Sequence, residues 1–167
     1  MAGILSHPAC PLHFDILESD PPMREKPSLT SLDALKMVAA AKVEAARNNW
    51  IVTIAVVDDG GYLMHLDRMD GARHHTPEFA SLKARTAAIF RAPTKVLEDA
   101  AKERPGRGSI PGILALQGGL PILFEGQCVG GIGVSGVKSH EDERVAQAGL
   151  AALMSGSFID TLDSAFL

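Results

Sequence analysis

Residues 50–61 read WIVTIAVVDDGG, and this stretch decides the fold. Its first eight residues are β-branched or apolar at odd and even positions alike, which predicts a central strand covered on both faces. The Asp59-Gly60-Gly61 that follows indicates a tight hairpin, because glycine adopts a positive φ without steric cost. Residues 62–67 have the alternation of a return strand, so the sequence predicts an antiparallel pair.

Helical patterns lie on both sides of this hairpin. Residues 30–33 read TSLD, a capping-box signature that begins a run of apolar residues at helical spacing. After the hairpin, Thr76 as N-cap and Pro77 at the first helical position predict a second helix. Two more helices are expected at residues 94–102 and from residue 139 onward. The second helix has a predicted buried stripe of Phe79, Leu82, Thr86, Ile89 and Phe90.

Three short apolar segments, residues 113–117, 121–124 and 127–135, predict three further strands. With the hairpin they make five, and the short links between them favour antiparallel neighbours. The predicted fold class is therefore α+β, a five-stranded antiparallel sheet with flanking helices. Within the last strand, Gly130, Gly131 and Gly133 indicate that a backbone or a flat ligand approaches closely.

The composition restricts the domain organisation and the partners. Residues 1–28 are proline-rich and aperiodic, which indicates an N-terminal arm, and residues 29–167 are expected to form a single domain. Hydrophobic residues make up 46% of the chain and aromatic residues only 5%, so the core is predicted to be small and aliphatic. A net charge of −4 disfavours nucleic acid and anionic membranes as partners, because both require a basic surface.

The location is predicted to be cytoplasmic. No run approaches the roughly 20 apolar residues needed to cross a bilayer. Residues 1–12 lack a basic segment, and Pro8 and Pro11 interrupt any apolar stretch of a secretion signal. Cys10 and Cys128 lie in unrelated contexts, a pattern more typical of a reducing compartment than of a disulfide framework.

Several segments together resemble the hallmarks of the GlcG/HbpS family, which includes haem-binding HbpS-like proteins, DUF336 domains and the C-terminal domain of PduO-type proteins. Each string is short, but their order and spacing across residues 29–154 are specific. They are VVDDGG (56–61), RMDGA (68–72), KARTAAIF (83–90) with Pro93-Thr94, GGLPI (118–122), VGGIGVSG (129–136), and the Asp142-Glu143 pair leading to AGL (148–150).

This resemblance implies a profilin- or roadblock-like sandwich and obligate homo-oligomers with small-molecule pockets at subunit contacts. It also implies haem as a cofactor or ligand of some members. Other members accompany a cobalamin adenosyltransferase domain or catabolic enzymes for small organic acids.

Two polar loops contain departures from the family pattern, at residues 73–76 after the RMDGA segment and at Arg104 and Arg107. We name residues 68–76 the histidine loop and residues 103–112 the arginine loop. Imidazoles near neutral pH serve as acid, base or metal ligand, and arginine forks bind carboxylates or haem propionates. The competing interpretation is a solvated loop with ordinary surface ion pairs.

The candidate catalytic residues are His74, His75 and Glu103, with His75 also a candidate haem-iron ligand. The candidate ligand-binding residues are Arg68, Asp70, Arg73, Arg104, Arg107 and Lys83.

Three hypotheses follow from these residues. The first is a small-ligand-binding protein with a pocket between subunits, whose ligand is haem or a related flat molecule. The second is a cofactor-free isomerase, tautomerase, hydrolase or deaminase acting on a small unsaturated or hydroxy carboxylic acid in a catabolic pathway. In that enzyme a histidine moves the proton and the arginines hold the carboxylate. The third is a structural partner without a ligand of its own.

Overall fold

The computed structural model describes residues 25–154, apart from the side chains of Arg107 and Met154. Residues 1–24 of the predicted arm lie outside this range, so the arm and the single domain from residue 29 to 167 stay predictions. Within the described range the elements follow the predicted order except for one strand. They are α1 Ser31–Arg47, β1 Thr53–Asp58, β2 Leu63–Arg68, α2 Thr76–Phe90, α3 Thr94–Glu103, a 3₁₀ helix Pro105–Ser109, β3 Gly119–Phe124, β4 Gln127–Ser135 and α4 Ser139–Met154.

The sheet is antiparallel throughout, in the order β2-β1-β4-β3. The predicted hairpin forms, and β1 lies inside the sheet with a partner on each side. In register, Ile54 of β1 opposes Asp67 of β2 and Val134 of β4. The α+β class with flanking helices is confirmed, while the profilin- or roadblock-like sandwich stays a prediction.

The prediction of a fifth strand at residues 113–117 is wrong. The N–H of Leu114 donates to Thr86 Oγ1 of α2 at 2.9 Å, and the N–H of Gln117 donates to Glu98 Oε2 of α3 at 2.7 Å. Because helix side chains accept these hydrogen bonds, the segment lies across the helices and does not extend the sheet. The sheet of the described chain therefore has four strands.

Helices cover both faces of the sheet. Helices α1 and α4 pack together against one face, and α2 packs against the other. Strand alternation divides the side chains of β1 accordingly: Ile54 and Val56 join the core under α1 and α4, whereas Ala55 and Val57 face α2. The prediction that this strand is apolar on both faces is confirmed.

The buried stripe of α2 differs from the predicted one. Its inner side consists mainly of small residues such as Ala80, Ala84 and Ala88, whereas Ile89 and Phe90 are 42% and 41% exposed. Of the predicted stripe only Thr86 is fully buried. Helical spacing alone is compatible with either the predicted stripe or the alanines facing the sheet. The alanines face it because the glycines of β4 leave room for the helix backbone to approach closely.

The glycines of β4 meet protein backbone. A Cβ added at Gly131 would lie 2.2 Å from the carbonyl oxygen of Ala84, and one added at Gly133 would lie 2.2 Å from that of Ala80. Of the two alternatives in the sequence, a close backbone and a flat ligand, the helix backbone occupies this face. The described part of the chain contains no helix that is long and apolar enough to cross a membrane.

Candidate functional site

The histidine loop connects the end of β2 to the start of α2, and Arg68 organises it. The Arg68 guanidinium donates through Nε to the Ala72 carbonyl at 3.0 Å. Its Nη2 lies 3.3 Å from His74 Nδ1. Because a guanidinium only donates, Nδ1 must accept, and a neutral His74 then carries its proton on Nε2. Arg68 and His74, both predicted site residues, are thus brought together.

His75 lies on the other side of the loop. Its ring packs edge-on against Phe79, with centroids 5.0 Å apart and an interplanar angle of 68°. Within residues 25–154 neither ring nitrogen of His75 has a hydrogen-bond partner, and the residue is exposed. The two histidines therefore contact different residues, His74 the Arg68 guanidinium and His75 the Phe79 ring.

The start of α2 is one residue earlier than predicted. His75, not Thr76, is the N-cap, and its side chain makes no capping hydrogen bond. Thr76 is fully buried and donates to the Arg73 carbonyl at 2.7 Å. Its hydroxyl oxygen also lies 2.7 Å from the buried Thr53 Oγ1 of β1, which anchors the loop to the sheet.

The remaining predicted residues of the two loops are exposed. Asp70 and Arg73 lie on the histidine loop, and Glu103 and Arg104 lie at the end of α3. The side chain of Arg107 lies outside the described residues. Within residues 25–154 no hydrogen bond or ion pair joins the histidine loop to the arginine loop. One subunit alone therefore does not assemble the predicted site.

The arginine loop borders an apolar cavity that the sequence did not predict. The cavity measures about 430 Å³ and lies between the end of α2, α3 and the segment that follows the loop. Its wall contains Ile110, which is 44% exposed, and Phe90, which is 41% exposed. Apolar residues that are far apart in sequence form this cavity, so no motif reveals it. Its lining residues are Phe90, Leu97, Ile110, Ile113 and Ala115.

Lys83 occupies a different environment from that of the loops. It is 1% exposed, and its ammonium donates to Asp142 Oδ2 at 2.8 Å and to the Val134 carbonyl at 2.9 Å. The other carboxylate oxygen of Asp142 accepts the Val137 N–H at 3.2 Å. A ligand-binding role of Lys83 would require breaking this ion pair. The contacts join α2, the end of β4 and α4.

Burial raises the pKa of the Asp142 carboxyl above its ordinary value, and the charge and hydrogen bond of Lys83 oppose part of that rise. The sequence contained one signal for this pair. Lys83 lies between Ala80 and Ala84 on a stripe of small residues, where a long charged side chain needs a buried partner.

Metal chelation by the protein alone finds no support in the described range. Among residues 25–154 there is no group of three or more His, Cys, Asp or Glu side chains placed to hold a metal ion. The arrangement can instead provide an exposed imidazole, cationic loops and an open apolar wall.

Comparison with known proteins identifies relatives over the same part of the chain. Residues 29–151 match the family model described as haem degrading protein HbpS-like. The protein GlcG of Escherichia coli K12 is 40% identical over 114 residues, which cover 68% of this chain and 85% of the relative.

Two solved structures have the same fold. The crystal structure of HbpS is 38% identical, with a TM-score of 0.76, and the match covers 79% of this chain and 94% of that one. The crystal structure of a PduOC:heme complex is 28% identical, with a TM-score of 0.70, over 75% of this chain and 95% of that one.

Proposed function

The chain belongs to the HbpS-like family, and on that premise we propose that it is a small-ligand-binding protein that takes haem in a pocket between two subunits. The observation that carries the proposal is the apolar cavity beside the arginine loop. Its volume of about 430 Å³ lies within the range of about 300–1,000 Å³ of small-ligand sites. A relative of the same fold was crystallised with heme.

The residues around the cavity suit the chemistry of a porphyrin. The apolar side chains of Phe90, Leu97 and Ile110 provide a wall for the flat macrocycle. Arg104, at the beginning of the arginine loop, is exposed, and its guanidinium has no hydrogen-bond or ion-pair partner among the described residues. A free guanidinium there can bind a propionate through two parallel hydrogen bonds. Haem, when bound, would supply an iron centre that the protein side chains alone do not form.

The iron ligand would come from a neighbouring copy. Among the described residues, the cavity lining contains no histidine, cysteine or methionine. The His75 imidazole is exposed and its nitrogens are unengaged, and a single histidine can hold haem iron from one side. Since no hydrogen bond or ion pair joins the two loops among the described residues of one subunit, His75 of one copy would face the cavity of the next. The proposed arrangement requires a homo-oligomer.

The alternative enzyme is less well supported. It needs a histidine base and an arginine carboxylate clamp at one point. The Arg68 guanidinium already donates to the Ala72 carbonyl and to His74, and Glu103 lies at the end of another helix without a contact to either histidine. No observation on the described residues favours turnover of an organic acid.

Hemin titration of the full chain, followed at the Soret band, tests the proposal. We expect His75→Ala to weaken hemin binding by about tenfold, the equivalent of ~1.4 kcal/mol. Ile110→Asp should weaken it too, because it places a carboxylate on the apolar wall. His140→Ala is the matched control, since His140 is also exposed but begins α4. Titration curves that coincide for the wild type, His75→Ala and Ile110→Asp would exclude this site.

Mixed oligomers test the position of the pocket between subunits. His75→Ala and Ile110→Asp each damage one half of a site that two copies share. Dissociating and reassembling the two variants together should restore some intact sites, and with them part of the Soret signal. A signal no stronger than the average of the separate variants would place both residues in one subunit and contradict the proposed pocket.

A further inference from the structure

A second cavity lies at the opposite end of the sheet from the histidine loop, where both described chain ends meet the hairpin between β3 and β4. It measures about 490 Å³. Two of its lining residues, Asp33 and Glu125, are charged, and Asp33 already accepts hydrogen bonds from Thr30 at the start of α1. The remaining wall is mainly apolar, and its apolar members are Pro27, Leu29, Phe124, Val129 and Leu153.

The apolar side chains of this wall are too exposed to form a complete hydrophobic core. Val129 is 3% exposed at the base of the cavity, but Phe124 is 50% exposed. Covering exposed apolar area contributes about 25 cal/mol for each Å² removed from water, so a segment able to cover it gains free energy.

The chain itself supplies such a segment at the mouth of the cavity. Leu153 lines the cavity and is the penultimate described residue, so the chain leaves α4 directly beside it. The thirteen residues that follow, 155–167, read SGSFIDTLDSAFL. Phe158, Ile159 and Leu162 are apolar, and Gly156 allows a reversal of direction because glycine adopts left-handed conformations without steric cost.

The N-terminal arm is the competing occupant, since Pro27 also lines the cavity. Its apolar residues, around Phe14 and Leu17, are separated from Pro27 by the stretch ESDPPMREK. This stretch is charged and contains Pro21-Pro22, which favours extended chain. Phe158, in contrast, follows the end of α4 by four residues. A short link gives a higher effective concentration at the cavity, and this favours the C-terminal segment.

We propose that residues 155–167 dock into the cavity beside Leu153, with Phe158, Ile159 or Leu162 against Phe124 and Val129. The docked segment completes the core between α4 and the β3–β4 hairpin. This inference is independent of haem binding, because the two cavities have no described lining residue in common.

Limited chymotrypsin digestion of the full chain, read by intact mass, tests the docking. Cleavage after Phe158 reports on the C-terminal segment, and cleavage after Phe14 or Leu17 reports on the arm in the same sample. We expect Phe124→Ser to accelerate cleavage after Phe158 by about tenfold, because proteolysis follows the population of the undocked form. Leu123→Ser is the matched control: Leu123 is 48% exposed, as against 50% for Phe124, but does not line this cavity.

Several outcomes would overturn the proposal. They are equal cleavage after Phe158 in the wild type and both variants, acceleration only at Phe14 or Leu17, or protection of Phe158 that disappears on dilution. The second outcome would assign the cavity to the arm, and the third to a neighbouring copy. Phe158→Asp is a second test that leaves the described domain intact. It should increase binding of a fluorescent apolar dye, and unchanged dye binding would contradict docking.

Discussion

The two faces of the sheet are built by different rules. Under α1 and α4 the core consists largely of branched and long side chains, such as Met37, Ile54 and Ile132. Under α2 it consists mainly of alanines, and those of the helix face the glycines of β4. The first face is filled by side-chain volume, and the second by close approach of backbone to backbone. The buried Lys83–Asp142 pair connects the helices of the two faces, since Lys83 belongs to α2 and Asp142 to α4.

The difference explains the exposed side of α2. Because alanine and glycine fill the inner contact, the larger residues of this helix are turned outward, and Ile89 and Phe90 remain about two-fifths exposed. The outer side of α2 is then continuous with the apolar cavity, through Phe90. Close packing on one side of the helix thus produces an open apolar surface on the other.

The largest effect is expected where backbone meets backbone. Gly133→Val should abolish folding, a loss of more than about 5 kcal/mol, because a Cβ there would lie 2.2 Å from the Ala80 carbonyl oxygen and 2.4 Å from the Ala84 nitrogen. Gly106→Val is the control, since a Cβ at Gly106 has nothing within 4 Å. Urea unfolding measures both. A stable Gly133→Val protein would show that α2 can move outward.

The next effect is expected at the buried ion pair. Lys83→Met leaves the Asp142 carboxylate buried without its cation, and it should lower the free energy of unfolding by about 3–5 kcal/mol. The double variant Lys83→Met/Asp142→Leu removes both charges and should recover most of that loss. Urea unfolding of the single and double variants decides this. If the double variant is as unstable as the single one, packing, rather than charge, is what Lys83 provides.

The pH dependence of the same variant has a definite sign. Burial already raises the pKa of Asp142, so the folded state binds this proton more tightly than the unfolded state, and its contribution to stability falls as pH rises through the raised pKa. Removing Lys83 removes the interactions that oppose the rise. The destabilisation by Lys83→Met should therefore shrink from pH 7 toward pH 4, by about 1.4 kcal/mol for each unit of further increase. A destabilisation that grows with acidity would contradict this environment of Asp142.

The smallest effect is expected on the outer side of α2. Ile89→Ala should change the stability of the chain by less than about 1 kcal/mol, because Ile89 is 42% exposed. Ile132→Ala, on the face under α1 and α4, should cost about 2–5 kcal/mol, because Ile132 is fully buried. Thermal unfolding at several protein concentrations compares them. If the two variants lost equal stability, but only at high protein concentration, a neighbouring copy would be covering Ile89.

Local patterns in the sequence predicted most of the fold correctly. The capping box at Thr30, the hairpin after Asp58 and the order of the elements follow from neighbouring residues, and the structure has them. The prediction of a fifth strand failed because it rested on the composition of residues 113–117. In the structure, N–H groups of this segment donate to side chains of helices α2 and α3. The prediction of the buried stripe of α2 failed because the side of the helix that packs on the sheet depends on Gly131 and Gly133, more than forty residues away.

The sequence predicted which residues belong to the candidate site, but not how they are arranged in space. The contact between Arg68 and His74 lies within one loop and is local. The partner of Lys83 and the apolar cavity beside the arginine loop are not local, so no spacing rule reaches them. Haem as the ligand, assembly into oligomers and the cytoplasmic location stay proposals or predictions.

By itself the sequence determined the family, the α+β class, the central strand and the positions of the polar loops, because each depends on residues that are adjacent or regularly spaced. Only the tertiary structure decided the four-strand sheet, the inner side of α2, the burial of Lys83 against Asp142 and the two cavities. These features depend on which distant backbone comes close enough to accept a hydrogen bond or exclude a side chain. Which distant segments approach each other is set by three-dimensional packing, and the sequence alone does not show it.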